Sequence, residues 1–349
     1  RAGGGQVCDI DDIPMDDPAV YKLISDGDTD GVFQLESAGM RNFLTQMRPG
    51  NLEDIIAGIS LYRPGPMESI PRYLAGKQDP KSVKYSTEKL RPILDVTYGC
   101  MVYQEQVMQI VRDLAGYSMG RSDLVRRAMA KKKHDVMNRE KEIFIHGQVE
   151  DGKVIVPGCV RNGVDEKVAE RIFDEMAAFA SYAFNKSHAA AYAVVAVQTA
   201  YLKAHYPVQF MAALMNSMLG NTPKIAYYIQ YLRKRGIPVL PPDVNRSGEK
   251  FDVDVSSEGV QGIRFGLGAI KSLGHAPVKA LVDEREANGP FQDIYDLVER
   301  MAGSLLNKKC VESLIRSGAM DSLPGSRVQK LHVFERAMDG AARRLKDTV

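Results

Sequence analysis

The sequence has no tryptophan, no low-complexity tract and no long internal repeat. Its four cysteines, Cys8, Cys100, Cys159 and Cys310, lie far apart, without a CxxC pair or a histidine-rich neighbourhood. That speaks against a disulfide framework and a zinc site, and it fits a reducing, cytoplasmic setting. The most apolar run, Ala189 to Leu202, is shorter than the ~20 residues that span a bilayer, so no membrane partner is expected. No secretory signal opens the chain, and the first residue, Arg1, points to a piece of something longer or a processed product. Gly266, Gly268 and Lys271 complete neither a dinucleotide fingerprint nor a P-loop, which argues against a standard nucleotide fold.

What is present is unevenly placed charge. The 349 residues are 44% apolar and 26% charged, with a net charge of only +2. That is room for about two domains. Up to Ser60 the chain has four cations and eleven anions, whereas Arg121 to Lys133 holds six cations and one anion, Asp123. A split of that size dedicates one surface to an anion. The segment GRSDLVRRAMAKKK (120–133) is expected to form a helix. Ser122 is its expected N-cap, and Leu124, Ala128 and Met129 its inward stripe. Arg126, Arg127, Lys131 and Lys133 share one side at helical spacing, where phosphate oxygens would relieve their mutual repulsion. A solvated basic face is the alternative reading.

Hydrophobic periodicity predicts a mostly helical chain. Helices are expected over 38–46, 52–61, 165–179 and 224–235, and an amphipathic one follows Thr97 with Val102, Val107, Ile110, Val111 and Leu114 facing inward. Pro64, Gly65 and Pro66 force a rigid turn that presents Arg63. In FNKSHAAAYA, Ser187 is the expected N-cap of an apolar, buried helix. Lys186 and His188 then stand at its positive end, as an anion site or as a capping motif with a hydrogen-bonded histidine. FDVDV and VQGIRFGL flank SSEG as a β-hairpin, and DGKVIVPG is a short β-like excursion. GLGAIKSLGHAPVKAL and SLLNKKCVESLI each suggest short helices paired around a tight turn. A helix-hairpin-helix element of that kind approaches DNA phosphates with backbone N–H groups and reads no bases. Asp9, Asp11, Asp12, Asp16 and Asp17 suggest a metal site, but Pro14 and Pro18 break the segment, and an acidic entry loop is the simpler reading.

Eight segments in order resemble the alpha subunits of bacterial DNA polymerase III, the C-family replicative polymerases. They are GVFQLES (31–37), RPGP (63–66), YGCMVYQEQVMQI (98–110), RRAMAKKK (126–133), FNKSHAAAYA (184–193), LKAHYP (202–207), LPPDVN (240–245) and GLGAIKSLG (266–274). The resemblance covers Asp16 to Leu323. It implies a linker from an absent palm over 1–18, a multi-helix fingers domain over 19–207, a tandem helix-hairpin-helix module with a small β-hairpin over 208–323, and a helical connector over 324–349.

It further implies that Arg63, Arg126, Arg127, Lys131, Lys133, Asn185, Lys186, Ser187 and His188 meet the incoming dNTP and primer–template DNA. Lys271, Ser272, Gly274, His275, Lys308 and Lys309 would meet the DNA backbone. The family's metal-binding palm carboxylates lie upstream of this region, so Mg²⁺ is expected only in the full enzyme and this piece alone should bind without catalysing. A sliding clamp and other replisome subunits would be reached through parts of the full chain not present here. Gln329 to Phe334 is only a loose look-alike of a clamp-binding peptide and reads as plain helix. Ala276 stands where the first hairpin of the family often has a second glycine. An autonomous, non-enzymatic DNA-binding module is the alternative function, and a monomer is expected.

Overall fold

The computed structural model describes residues 8–131, 134–180 and 182–348, so Lys133 lies outside the described residues. Sixteen α-helices and five short strands appear among the described residues, so the chain is mostly α as expected. It divides into two compact units, Cys8–Ala204 and, among the described residues, 205–348.

The first unit opens with α1 (Pro18–Ser25), α2 (Ala38–Met47), α3 (Leu52–Leu61) and α4 (Ile70–Gln78). Each of the first three starts where a short polar side chain takes an orphan N–H: Asp17 from Ala19, Ser37 from Met40 and Asn51 from Asp54. Their apolar faces share a core with Ala189, Ala193, Ala196, Val197 and Ala200 of the long helix α10 (Lys186–His205). The helical spacing of these small residues makes a seam that lets the other helices approach closely. The sequence reading buried α10 all round; instead only this seam is buried, and Val195 on the opposite side is 40% exposed. Lys203 is buried near the end of α10. Its ammonium reaches the Asp28 carboxylate at 2.9 Å and the carbonyls of Asp28 and Asp30, tying the 26–31 loop to the helix. Removing one partner of such a buried pair costs about 3–5 kcal/mol.

The second core of this unit gathers α5 (Arg91–Leu94), α6 (Gln104–Ala115), α7 (Met119–Ala130), α8 (His134–His146), the hairpin of β1 (Gln148–Glu150) and β2 (Lys153–Val156), and α9 (Glu166–Ala180). Val102, Val107, Ile110, Val111 and Leu114 all face inward as the periodicity requires. The start of α6 is fixed by Gln106, which is buried and fully engaged. Its carbonyl oxygen accepts the Val102 and Tyr103 N–H groups at 2.8 and 3.0 Å, and its amide donates to the Thr97 hydroxyl at 2.8 Å.

In the second unit α11 (Pro207–Ser217) and α12 (Thr222–Lys234) pack against a small sheet in the order β3 (Val239–Leu240), β5 (Gln261–Arg264), β4 (Asp252–Val255). β4 and β5 form the anticipated antiparallel hairpin, while β3 joins β5 in parallel. A separate core lies among α13 (His275–Asn288), α14 (Ile294–Arg300), α15 (Lys308–Ser317) and α16 (Arg327–Thr348). Gln329 to Phe334 are an ordinary stretch of α16, with Phe334 buried.

Candidate nucleic-acid interface

The basic helix α7 begins one turn earlier than the sequence suggested. Its cap is Ser118, whose hydroxyl accepts the Arg121 N–H, while the expected cap, Ser122, is buried one turn in and donates to the Ser118 carbonyl. Two serines four apart offer the same local signal, and packing decides between them. Packing turns Val125, Ala128 and Met129 inward, while Leu124, expected in the inward stripe, is 65% exposed.

Carboxylates hold the cations of α7 in place. Arg126 donates to Asp123 at 2.7 and 3.0 Å and to the Gln104 side-chain carbonyl at 3.0 Å, and is itself largely covered. Arg127 meets the other oxygen of Asp123 at 2.6 Å but stays 62% exposed. Hydrogen bonding from Arg126, followed by the field of both guanidiniums, keeps the Asp123 carboxyl below the usual carboxylate range. Arg121 bridges Glu140 at 3.1 Å and Gln148, with its guanidinium over the Tyr117 ring. Arg127 and Lys131 line one hollow of about 370 Å³, with Leu124, Val136 and Glu140 on its walls.

Gln104 connects this helix to the loop before α10. Its amide donates to the Ala183 carbonyl at 3.0 Å, its N–H to the Phe184 carbonyl at 2.9 Å, and Tyr103 and Phe184 pair as a parallel bridge. Arg63 lies over the Phe184 ring at 4.2 Å, on a turn made possible by Gly65 at φ +99°, where a Cβ would strike the Tyr182 ring. His188 packs against both Phe184 and Tyr192, with ring centroids 5.4 and 4.4 Å away. Through these contacts Arg63, Arg126, Asn185, Lys186 and His188 belong to one connected surface of the first unit.

The positive end of α10 differs from expectation. The helix begins at Lys186, and Asn185, not Ser187, is the capping side chain, accepting the His188 N–H at 2.8 Å. Ser187 sits exposed within the first turn. The Lys186 N–H donates to both oxygens of Glu105 at 3.0 and 3.1 Å, so a protein carboxylate from α6 already occupies the site favoured by the helix dipole. The Lys186 ammonium turns to Glu53 at 2.9 Å and lies over the Tyr103 ring. Lys186 is thus engaged at both ends, whereas Arg127 and Lys131 face outward.

In the second unit the first half of the expected hairpin is a single 3₁₀ turn, Leu267–Ala269, because Gly266 and Gly268 are needed for a backbone crossing. A Cβ at Gly266 would lie 2.5 Å from the Lys250 carbonyl carbon and one at Gly268 2.9 Å from the Glu249 oxygen. Lys271 and Ser272 follow on an exposed turn, with Ser272 at φ +70°, and Gly274 then opens α13. The Ser272 carbonyl receives the Cys310 thiol at 3.9 Å, which brings this turn to the start of α15. His275 is paired with Glu249, Lys308 with Asp339 at 2.8 Å and Lys309 with Glu312 at 3.0 Å. Lys271 keeps its ammonium free of a carboxylate partner among the described residues.

One feature of the second unit escaped sequence reasoning. No acidic residue stands between Glu175 and Asp243, and in that interval α12 carries Lys224 in its first turn and Arg233 and Lys234 in its last, with Arg235 as its C-cap. The gap is visible in the sequence once anions, not cations, are sought.

The family profile described as the bacterial DNA polymerase III alpha subunit finger domain matches residues 1–152, and a helix-hairpin-helix motif profile matches residues 236–330. Among curated relatives, the DNA polymerase III subunit alpha of Thermus aquaticus is 48% identical over 97% of this chain and 27% of its own length. That of Deinococcus radiodurans is 45% identical over 96% of this chain and 24% of its own length. The Bacillus subtilis subunit is 42% identical over 95% and 28%. The chain therefore spans about a quarter of the length of these relatives.

Proposed function

The chain belongs to the bacterial DNA polymerase III alpha-subunit family, and on that premise we propose that it is the fingers and duplex-binding portion of a replicative DNA-directed DNA polymerase. The observation that supports this reading best is the surface joining α7, the start of α6, the 183–188 loop and Arg63 through Gln104. In the reaction of the whole enzyme the primer 3′-hydroxyl attacks the α-phosphate of a dNTP and pyrophosphate leaves. Arg127 and Lys131, exposed around one hollow, take the triphosphate oxygens. An exposed ion pair is worth only about 0–1 kcal/mol, so Arg127 exchanges Asp123 for phosphate with little penalty. Arg126, covered and held by Asp123 and Gln104, positions the others. Asn185, Ser187, His188 and Arg63 border the same surface and meet the primer–template end, with Lys186 fixing the loop.

The turn at Lys271, Ser272 and Gly274 approaches duplex phosphates, with Lys308 and Lys309 close behind. His275, already against Glu249, contributes less. Among the described residues no three His, Cys, Asp or Glu side chains gather in a cation site. We propose that the Mg²⁺ ligands of nucleotidyl transfer lie in the part of the polymerase outside this chain. No helix among the described residues is long and apolar enough to cross a membrane. A cytoplasmic location, and contact with a sliding clamp and replisome subunits through the rest of the polymerase, follow from the replicative role.

Primed DNA, the four dNTPs and Mg²⁺ offered to the 349-residue chain test this reading. The expected result is binding of DNA or triphosphate without primer extension. Extension that disappears when Asp9 to Asp17 are neutralised would overturn it and make the acidic stretch a metal site. DNA binding indifferent to dNTP and carried wholly by residues 260–320 would instead favour an autonomous helix-hairpin-helix module.

A further inference from the structure

We infer that α12 carries a second nucleic-acid track, one for a single strand. Lys224, Tyr227, Tyr231 and Lys234 stand at i, i+3, i+7 and i+10, so they form one stripe along the helix. The neighbouring face, with Ile225, Tyr228 and Leu232, is buried in the unit's core and fixes the stripe's direction. Tyr227 is 43% exposed, and the Lys224 ammonium lies 5.9 Å from its ring centroid. The Arg235 guanidinium lies 4.3 Å from the centre of the Tyr231 ring. Arg233 projects from the other flank, beside a hollow of about 550 Å³ lined in part by Ile237, Ser256, Ser257 and Val260, with one carboxylate, Glu258, on its wall.

Three cations at a helix C-terminus complement the macrodipole, but that explains neither Lys224 at the other end nor the absence of anions. Among the described residues Lys224, Arg233 and Lys234 have no ion pair. Such a surface is complementary to a polyanion. Its tyrosines narrow the choice. Tyr227, exposed beside Lys224, and the half-buried Tyr231 beneath Arg235 set aromatic rings between the two lysines, which suits a strand that offers both phosphates and unpaired bases, because every base has a face to stack. A duplex hides its bases and would use only the cations.

The inference rests on the DNA-handling reading above for its choice of polyanion, yet it is testable apart from it. The measurement is binding of an oligothymidylate and of a blunt duplex by the 349-residue chain over a range of salt. Replacing Lys224→Gln with Lys234→Gln should flatten the log-affinity against log-salt slope for oligothymidylate by about 1.4, at roughly 0.7 for each phosphate no longer neutralised. Tyr227→Ala should weaken oligothymidylate binding roughly fivefold or more at unchanged slope and leave duplex binding as it was. Lys224→Arg with Lys234→Arg should keep the slope, and an unchanged circular dichroism spectrum shows that each variant is folded.

Oligothymidylate binding with the original slope and affinity in both the lysine and the tyrosine variants would overturn the inference while leaving the polymerase reading intact. Equal loss of duplex and single-strand binding in Tyr227→Ala would also overturn it. So would competition by polyglutamate as effective as that by DNA, which would make the partner an acidic protein. The predicted losses in a chain that binds neither duplex nor dNTP would uphold the track and sink the polymerase reading.

Discussion

The helices α7 and α12 are both strongly basic, yet they handle their charge in opposite ways. On α7, Arg121 is paired with Glu140, and Arg126 and Arg127 share Asp123. On α12, Lys224, Arg233 and Lys234 have no carboxylate among the described residues, and tyrosines stand between the lysines. Carboxylates within a basic face lower its net charge but fix where each guanidinium points, which suits a ligand of defined shape such as a triphosphate. Lysines without an ion pair set charge without fixing direction, which suits a backbone that slides. How cations are held therefore distinguishes the two surfaces better than how many there are.

The sharpest way to break the comparison is to remove the anion on α7. Asp123→Ala makes the face more positive, so a surface acting through charge alone would use triphosphate better. We expect the opposite in the intact polymerase, with kcat/KM for dNTP falling about tenfold or more, the size of one charge-assisted hydrogen bond. Steady-state extension at varied dNTP decides between them. Glu105→Ala acts next. It strips the acceptor from the Lys186 N–H at the start of α10 and should lower stability by about 1–2 kcal/mol. That is a fall of roughly 2–8 °C in the melting temperature of the unit that holds α10, readable by calorimetry.

The third test uses pH. Asp123 has its carboxyl lowered by Arg126, so its contribution to stability is complete above the ordinary aspartate value near ~3.9 and fades as pH falls through the lowered value. Asp123→Asn should therefore destabilise the chain at pH 7 and progressively less below about pH 4, a convergence that denaturant unfolding at several pH values reports. The smallest effect belongs to α12. Lys224→Gln and Lys234→Gln should leave folding stability within about 0.5 kcal/mol, because neither lysine has an ion-pair partner to give up. Denaturant midpoints within error of the parent are the expected reading.

Much of this contrast was hidden in the sequence for a physical reason. Periodicity located α3 at 52–61, the inward face of α6 and the β4–β5 hairpin, since each depends on residues a few positions apart. The density of cations on α7 was equally plain. The residues that hold them were not, because Gln104, Glu140 and Gln148 come from other elements and meet α7 only in three dimensions. The same holds for Glu105, which reaches Lys186 across 81 positions and takes the helix end that looked open to a ligand. Capping residues were misread where two candidates stood within a turn, Ser118 against Ser122 and Asn185 against Ser187. Gly266 and Gly268 looked like part of a hairpin and serve a chain crossing. The α12 stripe was legible all along but lacked the usual signal, since it shows as missing anions.

We propose that the exposed arginine of α7, Arg127, meets the triphosphate and not the duplex. Its most direct test is Arg127→Ala in the intact polymerase, with the Kd for primed duplex and kcat/KM for dNTP measured on the same preparation. The account predicts a loss of about tenfold or more in kcat/KM, with duplex affinity within about twofold of the parent. Equal losses in both would contradict it and return α7 to a general phosphate-binding face.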